Sequence, residues 1–171
     1  MKKHISFLII MVIIGFCTTL SANPALEKKS PQQIKKDCNL AIKAICRNEE
    51  SWLLEILNTY TDADEIKALL STQQSYCSNI LSAAIINGND AWRSKRGESC
   101  EDRAMKMAKI VLDKAAVVST AFQAEIILHR RKFLWIFKDQ SPYRIAQRYK
   151  YKKVLEVFDD ICKRAGCRFD K

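Results

Sequence analysis

Ser141-Pro142-Tyr143-Arg144-Ile145-Ala146-Gln147-Arg148-Tyr149-Lys150-Tyr151-Lys152-Lys153-Val154-Leu155-Glu156-Val157-Phe158 reads as two short helices joined by a turn. Ser141 suits a helix cap, and Pro142 suits the first helical position, where a missing N–H leaves no bond unmade. The helix so opened runs to about Arg148. Tyr151, Val154, Leu155, Phe158, Ile161 and Cys162 then recur at helical spacing and form the cleanest apolar stripe in the chain. Gly166 ends it.

The same pattern extends towards the N-terminus. Ile34, Cys38, Ala41, Ile42 and Ile45 form one stripe, and Trp52, Leu53, Ile56, Leu57 and Tyr60 another. Asp62 with Glu65 resembles a capping box leading into Ile66, Leu69 and Leu70. Ser71 to Cys77 is polar and reads as a loop. Asn79 caps a helix carrying Leu81, Ala84 and Ile85, and Asn87-Gly88-Asn89 stops it. Met105, Ala108, Val111, Leu112 and Ala115 define the next helix. Thr120 with Gln123 reads as a second capping box, opening a helix with Phe122, Ile126, Ile127 and His129. Phe133 to Phe137 is too uniformly apolar to assign by period. With only 4 Gly and 3 Pro, the chain lacks the turn residues a sheet-rich fold would need. The expectation is an all-α fold of stacked helical hairpins; the alternative is an irregular helical bundle.

Ser141 to Phe158 resembles an ankyrin repeat. That family opens its first helix with Thr-Pro-Leu-His-x-Ala, turns near a Gly, and continues with Val-Val-x-Leu-Leu. Here Ser141 stands for the Thr, Tyr143 for the Leu and Ala146 for the small residue. Asn79 to Ala116 is similar, with Leu81, Ala84 and Gly88 in the first helix and turn. Leu40 to Leu57 is fainter, with Ala44 as the small residue. The copies are irregularly spaced, only one keeps the Pro, Arg144 replaces the His and Lys150 replaces the Gly. The resemblance implies non-catalytic recognition of another protein through first helices and connecting loops, placing Arg144, Gln147 and Arg148 on the binding side.

At the other end, Lys2 and Lys3 precede a 16-residue apolar run, Ile5 to Leu20, followed by Ser21 and Ala22. This is the pattern of a signal peptide, and the run is shorter than the roughly 20 residues a spanning helix needs. Residues 1–22 are therefore expected to be cleaved, with the protein in the bacterial periplasm or secreted. The alternative is an uncleaved inner-membrane anchor. Bulky Phe16 before Cys17 argues against lipoprotein processing. Residues 23–31 read as a flexible leader, and 32–171 as one helical domain with an inserted loop at about 90–102.

An oxidising compartment gives the six remaining cysteines a disulfide reading. Cys38 and Cys46 cannot pair on one straight helix. Cys77 and Cys100 bracket a polar segment, and Cys162 and Cys167 flank Gly166; these are the two candidate bridges. There is no Cys-x-x-Cys, and His129 is the only histidine after the leader peptide, so no metal site is expected.

The charge is concentrated. The chain has 29 Lys and Arg against 19 Asp and Glu. Between His129 and Lys153, Arg130, Arg131, Lys132, Lys138, Arg144, Arg148, Lys150, Lys152 and Lys153 face only Asp139. Trp135, Tyr143, Tyr149 and Tyr151 are interleaved with them. An exported chain meets little nucleic acid, so the expected partner is a protein with an acidic surface. The alternative is anionic lipid, lipopolysaccharide or wall polymer; the plainest reading is a solvated face. Partner contacts are expected at Arg144, Gln147, Arg148, Lys150, Lys152 and Trp92, the last lying in the polar insert beside Arg93. No catalytic residue or cofactor is expected. His129 lacks a Gly-x-Ser-x-Gly companion, and the acidic pairs, such as Glu101-Asp102, lie adjacent rather than facing across a cleft.

Overall fold

The periodicities are realised as helices throughout the residues that the computed structural model describes, 28–73, 79–88, 98–129 and 141–167. The helices are α1 (Pro31–Arg47), α2 (Glu50–Asn58), α3 (Ala63–Ser71), α4 (Ile80–Gly88), α5 (Cys100–Ala116), α6 (Thr120–Leu128), α7 (Pro142–Tyr149) and α8 (Lys152–Arg164). No strand occurs among the described residues. The signal peptide, Phe133 to Phe137 and most of the polar insert lie outside them.

Local chemistry explains the starts. Ser30, Asp62, Asn79, Ser99, Ser119 and Ser141 each turn a side-chain oxygen onto an N–H of the following first turn. The cap of α6 is Ser119, one residue before the expected Thr120. Gln123 does not reach back to it. Gln123 is buried, and its Nε2 donates to Leu112 O at 2.9 Å, joining α6 to α5.

Three helices end alike. Asn48, Lys150 and Gly166 have φ of 56, 59 and 71°. The next amide in each case reaches back across the turn: Glu49 N–H to Ala44 O, Tyr151 N–H to Ala146 O, and Cys167 N–H to Cys162 O. This is the Schellman arrangement, which satisfies otherwise orphaned carbonyls.

Consecutive helices pair as α1 with α2, α4 with α5, and α7 with α8. The first members also meet, α1 against α4 and α4 against α7. α3 packs on α1 and α5, and α6 on α5, α7 and α8. α4 is central: Ile80 to Ile85 are all buried, as expected for a helix apolar on every side. α7 and α8 bury one stripe each, Pro142, Ile145 and Ala146 on α7, and Val154, Phe158, Ile161 and Cys162 on α8.

Ala146 is 0% exposed. Ala146→Leu is expected to destabilise the fold by roughly 1–3 kcal/mol through overpacking. Urea unfolding midpoints check this; an unchanged midpoint would mean that the site has room.

Candidate binding face

Burial of Pro142, Ile145 and Ala146 turns the other side of α7 outward. Arg144, Gln147 and Arg148, at helical spacing i, i+3 and i+4, are all exposed there. Arg144 Nη1 donates to Gln147 Oε1 at 2.9 Å. Lys150 follows at the turn and Lys152 opens α8, and both are exposed. The five residues expected as contacts on this hairpin, four of them basic, are thus all exposed.

Their charges differ in how they are met. Lys153 Nζ pairs with Asp102 Oδ1 at 2.7 Å, and its amide donates to Glu101 Oε1 at 2.6 Å. The Lys153 ammonium, with help from Ser99, holds the Asp102 carboxyl below its ordinary value. Tyr151 offers α8 no side-chain cap, so Glu101 and Asp102, from α5, serve its N-terminus. Arg148, Lys150 and Lys152 have no ion pair among the described residues. Lys150 also occupies the left-handed region, where an L side chain costs about 1–2 kcal/mol. A cation is held at a position that glycine would fill with less strain.

Aromatic side chains stiffen the hairpin. Tyr143 OH donates to Asp159 Oδ1 at 2.8 Å, tying α7 to α8. Tyr149 and Tyr151 rings lie 5.5 Å apart. Tyr151 is 6% exposed, and its hydroxyl has no hydrogen-bond partner among the described residues.

The two candidate disulfides fare differently. Cys77 lies outside the described residues, and Cys100 is a free thiol at the start of α5. Cys162 and Cys167 are both described and both free, which corrects the expected bridge. Their backbones meet in the Schellman turn, but Cys162 packs its thiol into the core as a small apolar side chain. Cys38 and Cys46 share α1, and donate to Thr72 O at 3.9 Å and Asn87 Oδ1 at 3.2 Å respectively. Trp92 and the cations from Arg130 to Lys138 lie outside the described residues. Trp52, expected in the core, is half-buried with the Arg47 guanidinium 5.7 Å from its ring centre.

Sequence reasoning missed the part played by Glu101 and Asp102 because it placed them in the insert. Ser99 and Asp102 carry the capping-box spacing that marks the start of α5, with Ser99 Oγ accepting from Asp102 N–H at 3.0 Å.

Compared with known proteins, the chain matches no family model, no curated protein and no solved structure. Among the described residues, no group of three or more His, Cys, Asp or Glu could hold a metal ion, and no helix is long and apolar enough to cross a membrane.

Burial, first among the causes, pushes Cys162, Tyr143 and Tyr151 each up to about 12. Ordinary thiols and phenols titrate near about 8.5 and 10. The unfolded chain therefore releases these protons first, so their contribution is complete at neutral pH and falls as pH rises from about 9 towards 12. Urea midpoints are expected to drop steadily above about pH 9, and Cys162→Ala to flatten the first part of that decline. A midpoint constant to about pH 11 would contradict this.

Proposed function

We propose that this chain is an exported, non-catalytic protein-binding module of ankyrin-like construction, gripping an acidic partner through the α7–α8 turn. The observation that carries the reading is the set of exposed cations at Arg148, Lys150 and Lys152, unmatched by any described carboxylate, with Lys150 kept in a left-handed conformation. The same left-handed turn ends α1 at Asn48 and α8 at Gly166; here it leaves the Lys150 side chain exposed at the hairpin turn. The construction is supported by the caps: Asn79 and Ser141 sit at the same distance before Ala84 and Ala146, and before Gly88 and Lys150. Contacts of α1 with α4 and α4 with α7 suit first helices lying side by side. Export rests on the charged, apolar and small-residue sequence of residues 1–22.

Replacing Arg144, Arg148, Lys150 and Lys152 by Gln keeps helix propensity nearly constant. Each exposed contact is worth about 0.2–1 kcal/mol, so the four together should weaken partner capture at least several-fold. The loss should shrink at high salt. Pull-down against envelope proteins, beside flotation with vesicles of anionic lipid, measures it; loss confined to flotation would favour a membrane surface. Lys150→Gly should stabilise the fold by about 1 kcal/mol while weakening capture. Undiminished capture by the folded quadruple variant would make this face a solubilising surface, and Trp92 the next contact to test.

A further inference from the structure

A second built site lies at the opposite end of the described chain. Lys29, just before the Ser30 cap of α1, is held at four points. Its Nζ stands 3.4 Å from the centre of the Tyr60 ring, donates to Thr59 Oγ1 at 2.6 Å and lies 3.9 Å from Asp37 Oδ2. Its amide N–H donates to Glu65 Oε1 at 2.6 Å.

The groups around it are positioned without its help. Tyr60 is 0% exposed, and its hydroxyl donates to Asp37 Oδ2 at 2.8 Å. Gln33 Nε2 donates to the other Asp37 oxygen at 2.7 Å. Thr59 Oγ1 donates to Ile56 O at 2.8 Å, which leaves its lone pairs for a donor. Asp62 accepts the Asp64 and Glu65 amides and so fixes the first turn of α3, which carries Glu65. An aromatic face, a hydroxyl oxygen and a carboxylate converge on one ammonium, and a second carboxylate takes the amide of the same residue. An ammonium is a compact charge with three donors, which suits this arrangement better than a planar guanidinium.

We propose that Asp37, Thr59, Tyr60 and Glu65 form a recognition site for a lysine residue carried in a peptide segment, and that Lys29 is its intramolecular occupant. The Lys29 side chain then acts as a latch, and swinging it out opens the site to a lysine of a partner protein while Ser30 keeps its cap on α1. The site is independent of the basic turn and selects the opposite charge.

The test is to titrate full-length Lys29→Ala with N-acetyl-lysine N-methylamide and follow the thermal midpoint. A ligand that binds only the folded chain raises that midpoint saturably. The rise is expected in Lys29→Ala, is much smaller in the wild type, whose site is occupied, and is lost when Asp37→Asn is added. N-acetyl-norleucine N-methylamide, which keeps the stem and lacks the charge, should give none. Equal rises with both probes, or none with the lysine probe at about 50 mM, would overturn the proposal and leave Lys29 a fixed staple. Should Lys29→Ala not fold, Lys29→Met carries the same titration. Rescue of folding by the lysine probe would then support the site, and failure of rescue would overturn it.

Discussion

Asn79→Ala is expected to destabilise the fold by roughly 2–4 kcal/mol. Asn79 is 0% exposed, and both ends of its amide are used. Oδ1 accepts the Ser82 N–H at 2.8 Å and so caps α4. Nδ2 donates to Ile126 O at 2.8 Å. That carbonyl lies in the last turn of α6, where no intrahelical N–H remains to meet it. Alanine removes a cap worth about 1 kcal/mol and strands a buried amide and a buried carbonyl, each costing about 1–3 kcal/mol where no water reaches it. Asn79→Ser restores the cap oxygen but not the reach to Ile126, so it should fall between alanine and the wild type. Urea unfolding of the three proteins gives the ordering. A loss below about 1 kcal/mol for alanine would mean that α4 and α6 do not depend on this bridge.

Gly88→Val should be at least as damaging, at about 3 kcal/mol. Gly88 is the last residue of α4, packed against the first turns of α5. A Cβ there would overlap Ala104 Cβ and come within 2.7 Å of Cys100 O. Ala104 is fully buried and Cys100 O is backbone, so neither yields without moving α5. Gly88→Ala gains about 1 kcal/mol of helix propensity and should therefore lose less than valine does. Adding Ala104→Gly removes the nearest obstacle and should recover part of the loss in Gly88→Ala. No recovery in the double variant would show that the strain lies elsewhere.

The helices were legible because each declares itself over a few residues. The stripe from Tyr151 to Cys162 buries Tyr151, Val154, Phe158, Ile161 and Cys162. The caps at Asp62, Asn79 and Ser141 bond to their own first turns as their side chains suggest. The α6 cap was displaced by one residue because Ser119 and Thr120 are chemically equivalent there and only the chain path chooses between them. On the candidate face, exposure of Arg144, Gln147 and Arg148 followed from the buried positions of α7. That Lys153 is ion-paired while Lys150 and Lys152 have no ion pair among the described residues could not be read, because the partners of Lys153 lie on α5.

What the sequence determined by itself is therefore the class of fold, the starts capped by Asp62, Asn79 and Ser141, and the outward side of α7. Those depend on spacing and on bonds within one helical turn. Tertiary structure alone decided that Gln123 turns inward to Leu112, that Glu101 serves the start of α8, and that Lys29 is caged by Thr59, Tyr60 and Glu65. It also decided that Cys162 packs as a thiol rather than bridging to Cys167. Each of these depends on which surfaces the core brings into contact and which polar groups are then left without water. Hydrophobic periodicity records that a face is buried, but not what it is buried against.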